Sequence, residues 1–573
     1  MPVNHKRANR KQEDETMYHS VLKRFITTIL IIFFVFGRAS SAQEASTSQV
    51  IQSRMDLLGS KGSLKIEGAD IRAVLALPTF YERREFEPVW TDPGKFEELR
   101  KMIAASADDG LVPEDYHLAA IDVITGGQDH TYSPNSKANL DILCTDAFLT
   151  LGYHMKFGKV DPERLDANWN IYGDLTELSE IIEQMKEVFE GGSGAVTRAI
   201  DEIRPPYELY RALSRALVKY RTMEAEGGWP TIPDGEVLKE GMRDQRVIKL
   251  RERLAVTGDL KIERPVNDLF NEEVEKGVES FQKRHGLYVD GIVGKMTIAT
   301  LNIPISEKID RIRINLERLR WVMQDDSHSF IIVNIAGFEV FYARNEELTW
   351  RSRVQVGKEY RKTPVFRAEM DYIVFNPTWT VPPTILEKDM IPKAAKNPAY
   401  LDGKNIKVID NKGRVIPPAK VNWKKYLDGG FPYILRQDPG PNNALGRVKF
   451  IFPNKHFVFL HDTSSRSLFS RSKRTFSSGC IRVENPLEFA EVLLNDPGNW
   501  NIEKIEQLIE SAKTKTVHLD QPLPVFLLYW TAFVNYDGTV HFREDIYERD
   551  KPILKDLDSG FRARDRHMKK RGL

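Results

Sequence analysis

Apolar residues recur at helical spacing through the first half of the chain. Phe96, Leu99, Met102 and Ile103 share one face, and so do Leu209, Leu213, Leu217 and Tyr220. Residues 66–235 therefore read as a helical scaffold domain, broken at Asp109-Gly110-Leu111 and at residues 158–162. A linker with Gly227-Gly228-Trp229-Pro230 follows. Residues 243–303 predict a small three-helix domain. Its helical faces are Val247, Leu250, Leu254, then Val274, Val278, Phe281, then residues 296–301, around a Gly-rich turn at 286–294. Another helical face, Ile309, Ile312, Leu316 and Leu319, leads to a change of period near Phe330.

From there the pattern is that of strands. Residues 331–335 and 338–342 flank Gly337 as a hairpin. Further β runs fall at 353–356, 372–375, 448–452, 457–460 and 525–534, and Asp537-Gly538 marks a turn. Within this mostly β domain, 325–545, residues 376–447 break the rhythm with a helical piece and many prolines. A long insertion of this kind is either disorder or a lid. Trp379, Trp423, Tyr426, Phe431 and Tyr433 favour an ordered, capping insertion. The fold class is multidomain α+β.

The N-terminus changes the picture of location. Lys23 and Arg24 precede an apolar run at 25–36, and small residues follow to Ala42. Residues 1–42 read as a signal peptide, or as an N-terminal membrane anchor, given Arg38 beside the exit. Met17 is an alternative start. Residues 43–65 read as a polar linker, and 546–573 as a basic C-terminal tail, solvated around Arg562 to Arg571. Of the 573 residues 41% are hydrophobic and 29% charged, with a net charge of +1. That balance gives no global pull toward nucleic acid.

The candidate chemistry is concentrated in one stretch. Cys144 and Cys480 are the two cysteines. Cys144 lies in an apolar helical stretch and reads as a buried small hydrophobe. Cys480 follows Ser477-Ser478-Gly479 in a loop, nineteen positions after His461 at the end of an apolar strand. A helix starts directly after, with Asn485 as N-cap, Pro486 first in the helix and Glu488 closing a capping box. A thiol needs a neighbouring imidazole to take its proton, and His461 is the nearest candidate. The N–H groups of Gly479 and Cys480 suit an oxyanion hole. Arg482 adds positive charge that lowers the thiol pKa or holds a substrate carboxylate. A zinc site is disfavoured because Cys480 lacks a second cysteine nearby. Lone His285 reads as a surface residue. The bland alternative is an inert thiol and an ordinary histidine in a wall-binding scaffold protein.

His461-Asp462 and Ser478-Gly479-Cys480-Ile481-Arg482 resemble the active-site motif of L,D-transpeptidases with the YkuD-type catalytic domain. The pattern is His, a spacer, then Ser/Thr-x-Gly-Cys-x-Arg. Ser478 stands where many members have a second histidine, and Asp462 where many have glycine. Both departures look like those of the large YcbB-like subgroup. Phe86 to Trp90, Asp109 to Pro113, Asn376 to Trp379 and Asn443 to Gly446 are similar to its scaffold and to the edges of its capping insertion. Phe281-Gln282, residues 286–294 and Thr297 are similar to a peptidoglycan-binding helical domain.

The resemblance implies an exported periplasmic or cell-wall enzyme of a Gram-negative bacterium. It implies a thioester on Cys480 formed from a tetrapeptide stem, resolved by a diaminopimelate amine to a 3-3 cross-link. His461 would be the proton acceptor and donor, its other nitrogen facing the Asp462 carbonyl. Water or a protein lysine as acceptor would instead give an L,D-carboxypeptidase or a protein-anchoring enzyme. No cofactor and no metal are implied, and carbapenems are implied as covalent inhibitors.

Overall fold

The computed structural model describes residues 45–125, 132–166, 169–171, 178–262, 267–322, 327–535 and 537–560. The expected signal or anchor segment, 1–42, and the basic stretch Arg562 to Arg571 lie outside the described residues.

The helical N-terminal part is built on the long helix Pro134–Phe157, most of which is buried. Its Asp146 accepts hydrogen bonds from the backbone of Arg72 and Ala73 and from His117. Cys144 sits on this helix, fully buried and free. Most of the segment expected as a linker, 43–65, is instead the helix Thr47–Lys61. Ser46 and Gln49 form a capping box, and Ile51, Met55 and Leu58 enter the scaffold core at i, i+4 and i+7. The capping signal outweighs the polar composition.

The three-helix unit comprises Gln245–Val256, Glu272–Arg284 and Lys295–Leu301. Gln282 staples its turn. The side-chain amide donates to Asp290 and to the Ile292 carbonyl, while its oxygen accepts from the Asp290 and Gly291 N–H groups. His285 is not a surface residue. It is 7% exposed, bonds the Phe281 carbonyl and stacks on Phe281 and on Phe542 of the β domain. The three-helix unit thus docks directly on the β domain.

Among the described residues nine strands make the main sheet: β1 Phe330–Asn334, β2 Glu339–Arg344, β3 Glu347–Gly357, β4 Phe366–Phe375, β5 Val448–Ile451, β6 Leu460–His461, β7 Thr475–Ser477, β8 Ile481–Val483 and β9 Lys515–Leu528. Their order is β7-β3-β8-β6-β5-β4-β9-β1-β2. Because β2 also pairs with β3, the sheet closes on itself. Val340, Val354, Val356, Ile373, Phe450, Leu460, Ile481 and Val525 fill the centre.

The insertion is ordered, with its own core around Ile391, Leu401, Val408, Trp423 and Leu435 and a four-stranded sheet. The expected C-terminal tail begins as packed structure. Ile546 and Tyr547 are buried, and the helix Asp550–Asp558 lays Ile553 and Leu557 against Ile314 and Trp321. An Arg318–Asp550 ion pair at 2.7 Å fixes its start.

Candidate active site

Parallel pairing of β6 and β8 brings the two expected reactive residues together. Leu460 lies opposite Ile481, and His461 opposite Arg482. The same register puts Phe459 beside Cys480. Alternate residues of a strand share a face, so Phe459, His461, Cys480 and Arg482 belong to one side of the sheet. Adjacent strands are about 4.8 Å apart, so His461 and Cys480 stand one strand spacing and two positions from each other.

His461 is 4% exposed, and its Nδ1 lies 2.5 Å from the Asp462 carbonyl oxygen. A carbonyl only accepts, so Nδ1 carries the hydrogen and Nε2 keeps its lone pair for a proton. Burial, and next the Arg482 charge, push the imidazole down to about 3. The Asp462 and Leu445 carbonyls oppose this only in part.

Asp462 in turn is locked. Its carboxylate accepts from the Arg447 N–H at 3.0 Å and from Arg447 Nε at 2.8 Å. Gly446 has φ +63°, and a Cβ there would sit 2.5 Å from the Asp462 side chain. Glycine at 446 therefore allows the insertion's exit to close against the residue that orients the histidine.

Cys480 is a half-buried free thiol. Burial pushes it up to about 11, against a backbone hydrogen bond at Phe459 and the Arg482 charge. Its Sγ faces the Phe457 carbonyl at 3.7 Å. Near pH 7 the pair is thus a neutral thiol beside a neutral imidazole.

The loop before the cysteine differs from expectation in two places. The Gly479 N–H donates to Ser477 Oγ at 3.1 Å, so it is spent within the loop. Among the described residues only the Cys480 N–H of the two expected oxyanion donors is without a partner. Ser478 is exposed and accepts from Arg361 at 2.9 Å, and Arg361 pairs with Asp389 of the insertion. Ser478 therefore ties the loop to the insertion. Asn485 does precede a helix, Pro486–Leu494, but its φ is +54° and its side chain makes no cap bond. The expected capping box with Glu488 does not form.

Sequence reasoning missed two residues that hold this loop. Ser477 Oγ donates to the Cys480 carbonyl and accepts from Gly479, bridging both sides of the turn. The signal was the Ser/Thr of the motif pattern itself. Thr363 is fully buried. It donates to the Gly479 carbonyl at 2.8 Å and accepts from the Gly357 N–H at 2.9 Å. No local signal marks it, because its partner is 116 positions away.

Arg482 donates to Gln355 at 3.2 Å, and its Nε is buried without a partner. No carboxylate among the described residues pairs with it. Among the described residues it is a cation beside the thiol without a countercharge. Removing it should raise the thiol pKa further. Alkylation of Cys480 by iodoacetamide should climb about tenfold per pH unit below pH 10, and Arg482→Ala should be slower at each pH. Peptide mass mapping of the alkylated cysteine measures both. Superimposable profiles would remove Arg482 from the thiol's surroundings.

A half-buried thiol immediately before β8 and a buried imidazole on the paired strand β6, with the thiol's loop tied to the insertion through Ser478, Arg361 and Asp389, suit thiol acyl transfer. Residues 328–517 match the L,D-transpeptidase catalytic domain, residues 243–301 a domain provisionally described as peptidoglycan binding, and residues 75–217 a scaffold domain. The chain therefore carries an L,D-transpeptidase catalytic domain within the domain set of a cell-wall-associated protein. A provisionally named L,D-transpeptidase of Haemophilus influenzae is 34% identical over 297 residues, covering 51% of this chain and 58% of that protein. The match thus spans less than two thirds of that relative. The crystal structure of an L,D-transpeptidase from Xylanimonas cellulosilytica is 14% identical, covers 52% of this chain and 99% of its own, and has a TM-score of 0.17. Among the described residues, no helix is long and apolar enough to cross a membrane.

Proposed function

We propose that this protein is an exported L,D-transpeptidase that forms 3-3 peptidoglycan cross-links through a thioester on Cys480. The observation that carries the reading is the Nδ1 bond of His461 to the Asp462 carbonyl. It leaves Nε2 as a base on β6, the strand paired with β8, which Cys480 immediately precedes. Sγ attacks the amide carbonyl between the third stem residue and its terminal D-Ala. His461 Nε2 takes the thiol proton, and the Cys480 N–H faces the developing oxyanion. The C–N bond breaks, the imidazolium gives its proton to the departing D-Ala amine, and the thioester remains. The side-chain amine of a second stem's diaminopimelate then attacks. It loses its proton to His461, and the thiolate leaves and is reprotonated.

The resting pKa values make the order of events a consequence. A thiol near 11 and an imidazole near 3 do not exchange a proton unaided. A substrate carboxylate on Arg482 neutralises the charge that, after burial, does most to depress His461. Substrate binding thus raises the base as it delivers the target. The three-helix unit at 243–303 holds glycan or stem peptide, and the insertion at 376–447 closes over the acyl-enzyme as a lid.

Purified protein incubated with tetrapeptide-rich muropeptides should yield 3-3 dimers with release of D-Ala, read by chromatography and mass spectrometry. Tripeptide monomer without dimer would instead make water the acceptor. No D-Ala release at all would sink the acyl-transfer reading.

A further inference from the structure

Cys480 immediately precedes β8, between β3 on one side and β6 on the other. Both neighbours continue past the sulfur at this edge. Beyond Gly357, the last residue of β3, the chain turns through Lys358 to Tyr360. Just ahead of Phe459 it passes Phe457. Tyr360 is 73% exposed and Phe457 82%, the two most exposed aromatic side chains among the described residues.

Neither side chain sits on a loose loop. The Lys358 N–H donates to the Ser477 carbonyl at 3.1 Å, and Arg361 donates to Ser478, so the Tyr360 turn is pinned to the cysteine loop. Phe457 has φ +54°, a left-handed conformation that is costly for a bulky residue. Asn454 imposes it. Its Oδ1 accepts from the N–H groups of His456 and Val458, and its Nδ2 donates to the carbonyls of Phe452 and Val458. The same turn sets the Phe457 carbonyl against Sγ. The turn itself is held by Asn454, but the exposed phenyl ring gains no burial in the free protein and gains it only when something covers it.

We propose that Phe457 and Tyr360 are two aromatic walls flanking Sγ that grip the stem peptide and so determine substrate specificity. The proposal rests on the acyl-transfer reading above and deepens it. The two strand extensions bracket the edge of the sheet at which Cys480 sits. Alanyl methyls and the methylene chain of diaminopimelate suit aromatic faces. Lys358, 5.6 Å from the Tyr360 ring centroid, places positive charge beside the stem's carboxylates, while Arg361 is already paired with Asp389.

The test is affinity for a soluble tetrapeptide stem, measured by calorimetry in a Cys480→Ala background so that no turnover intervenes. Phe457→Gly keeps the left-handed turn, which glycine adopts without strain. Phe457→Gly and Tyr360→Ala should each raise Kd about tenfold, a fraction of the burial free energy of one ring. Phe457→Tyr and Tyr360→Phe should restore it. Unchanged affinity in both truncated variants would overturn the walls. So would a loss seen only when a disaccharide is attached to the stem, because the rings would then be reading sugar. Turnover is measured separately in the chain with Cys480 intact. Its absence there would count against acyl transfer, while the binding result alone decides the walls.

Discussion

Cys480→Ser should abolish acylation, with a loss of roughly 10³-fold or more, the scale seen when a nucleophile is removed. A hydroxyl ionises far above a thiol, and this site raises even the thiol to about 11. The fold should survive. The residue is half-buried, and the Ser477 and Thr363 bonds that shape its loop go to backbone atoms. Intact-mass spectrometry with a carbapenem gives the readout. The wild-type chain should gain one drug molecule as a thioester on Cys480, and the serine variant should gain none in the same time. Cys144 should stay unlabelled, because burial raises its pKa well above that of a free thiol and leaves it inaccessible. A stable adduct on the serine variant, or one mapped to Cys144, would remove Cys480 as the nucleophile.

What the sequence reveals of this site follows from how local each feature is. His461, Gly479, Cys480 and Arg482 stand in two short stretches with a recognisable spacing, so the motif implies them without a fold. The hydrogen bonds that hold them are mostly not local. Thr363 reaches Gly479 only because β3 ends beside β8 and the chain doubles back there. The role of Gly479 shifts for a related reason. Its N–H is available in the motif but is taken up once Ser477 folds over it.

Larger elements fail where two signals compete. The apolar run 457–460 has the composition of a buried strand, yet only Leu460–His461 pairs as one. Asn454, an amide suited to bonding its own backbone, makes the turn that expels Phe457. His285 looks solvent-exposed within its small helical unit and is buried by Phe542, more than 250 positions on. Periodicity reports the faces of an element; it does not report which other domain covers them.

His461→Ala should slow acylation by at least about a hundredfold, the usual scale of a general-base contribution. The melting temperature should also fall, because the change empties a buried ring site and leaves the Asp462 carbonyl without its donor. The distinctive signature is in the pH dependence. In the wild-type chain the imidazole is unprotonated above about pH 3, so the base is available across the neutral range and the rate should vary little there. Without it the thiolate has to form on its own. The variant's rate should then rise about tenfold per pH unit toward the thiol's value near 11. The gap between the two proteins should therefore narrow as pH rises. Stopped-flow acylation by a carbapenem from pH 6 to 10 measures it, and added imidazole should recover part of the loss at neutral pH. Parallel profiles with a constant offset would mean that His461 only shapes the pocket, and proton transfer would have to be assigned to another group.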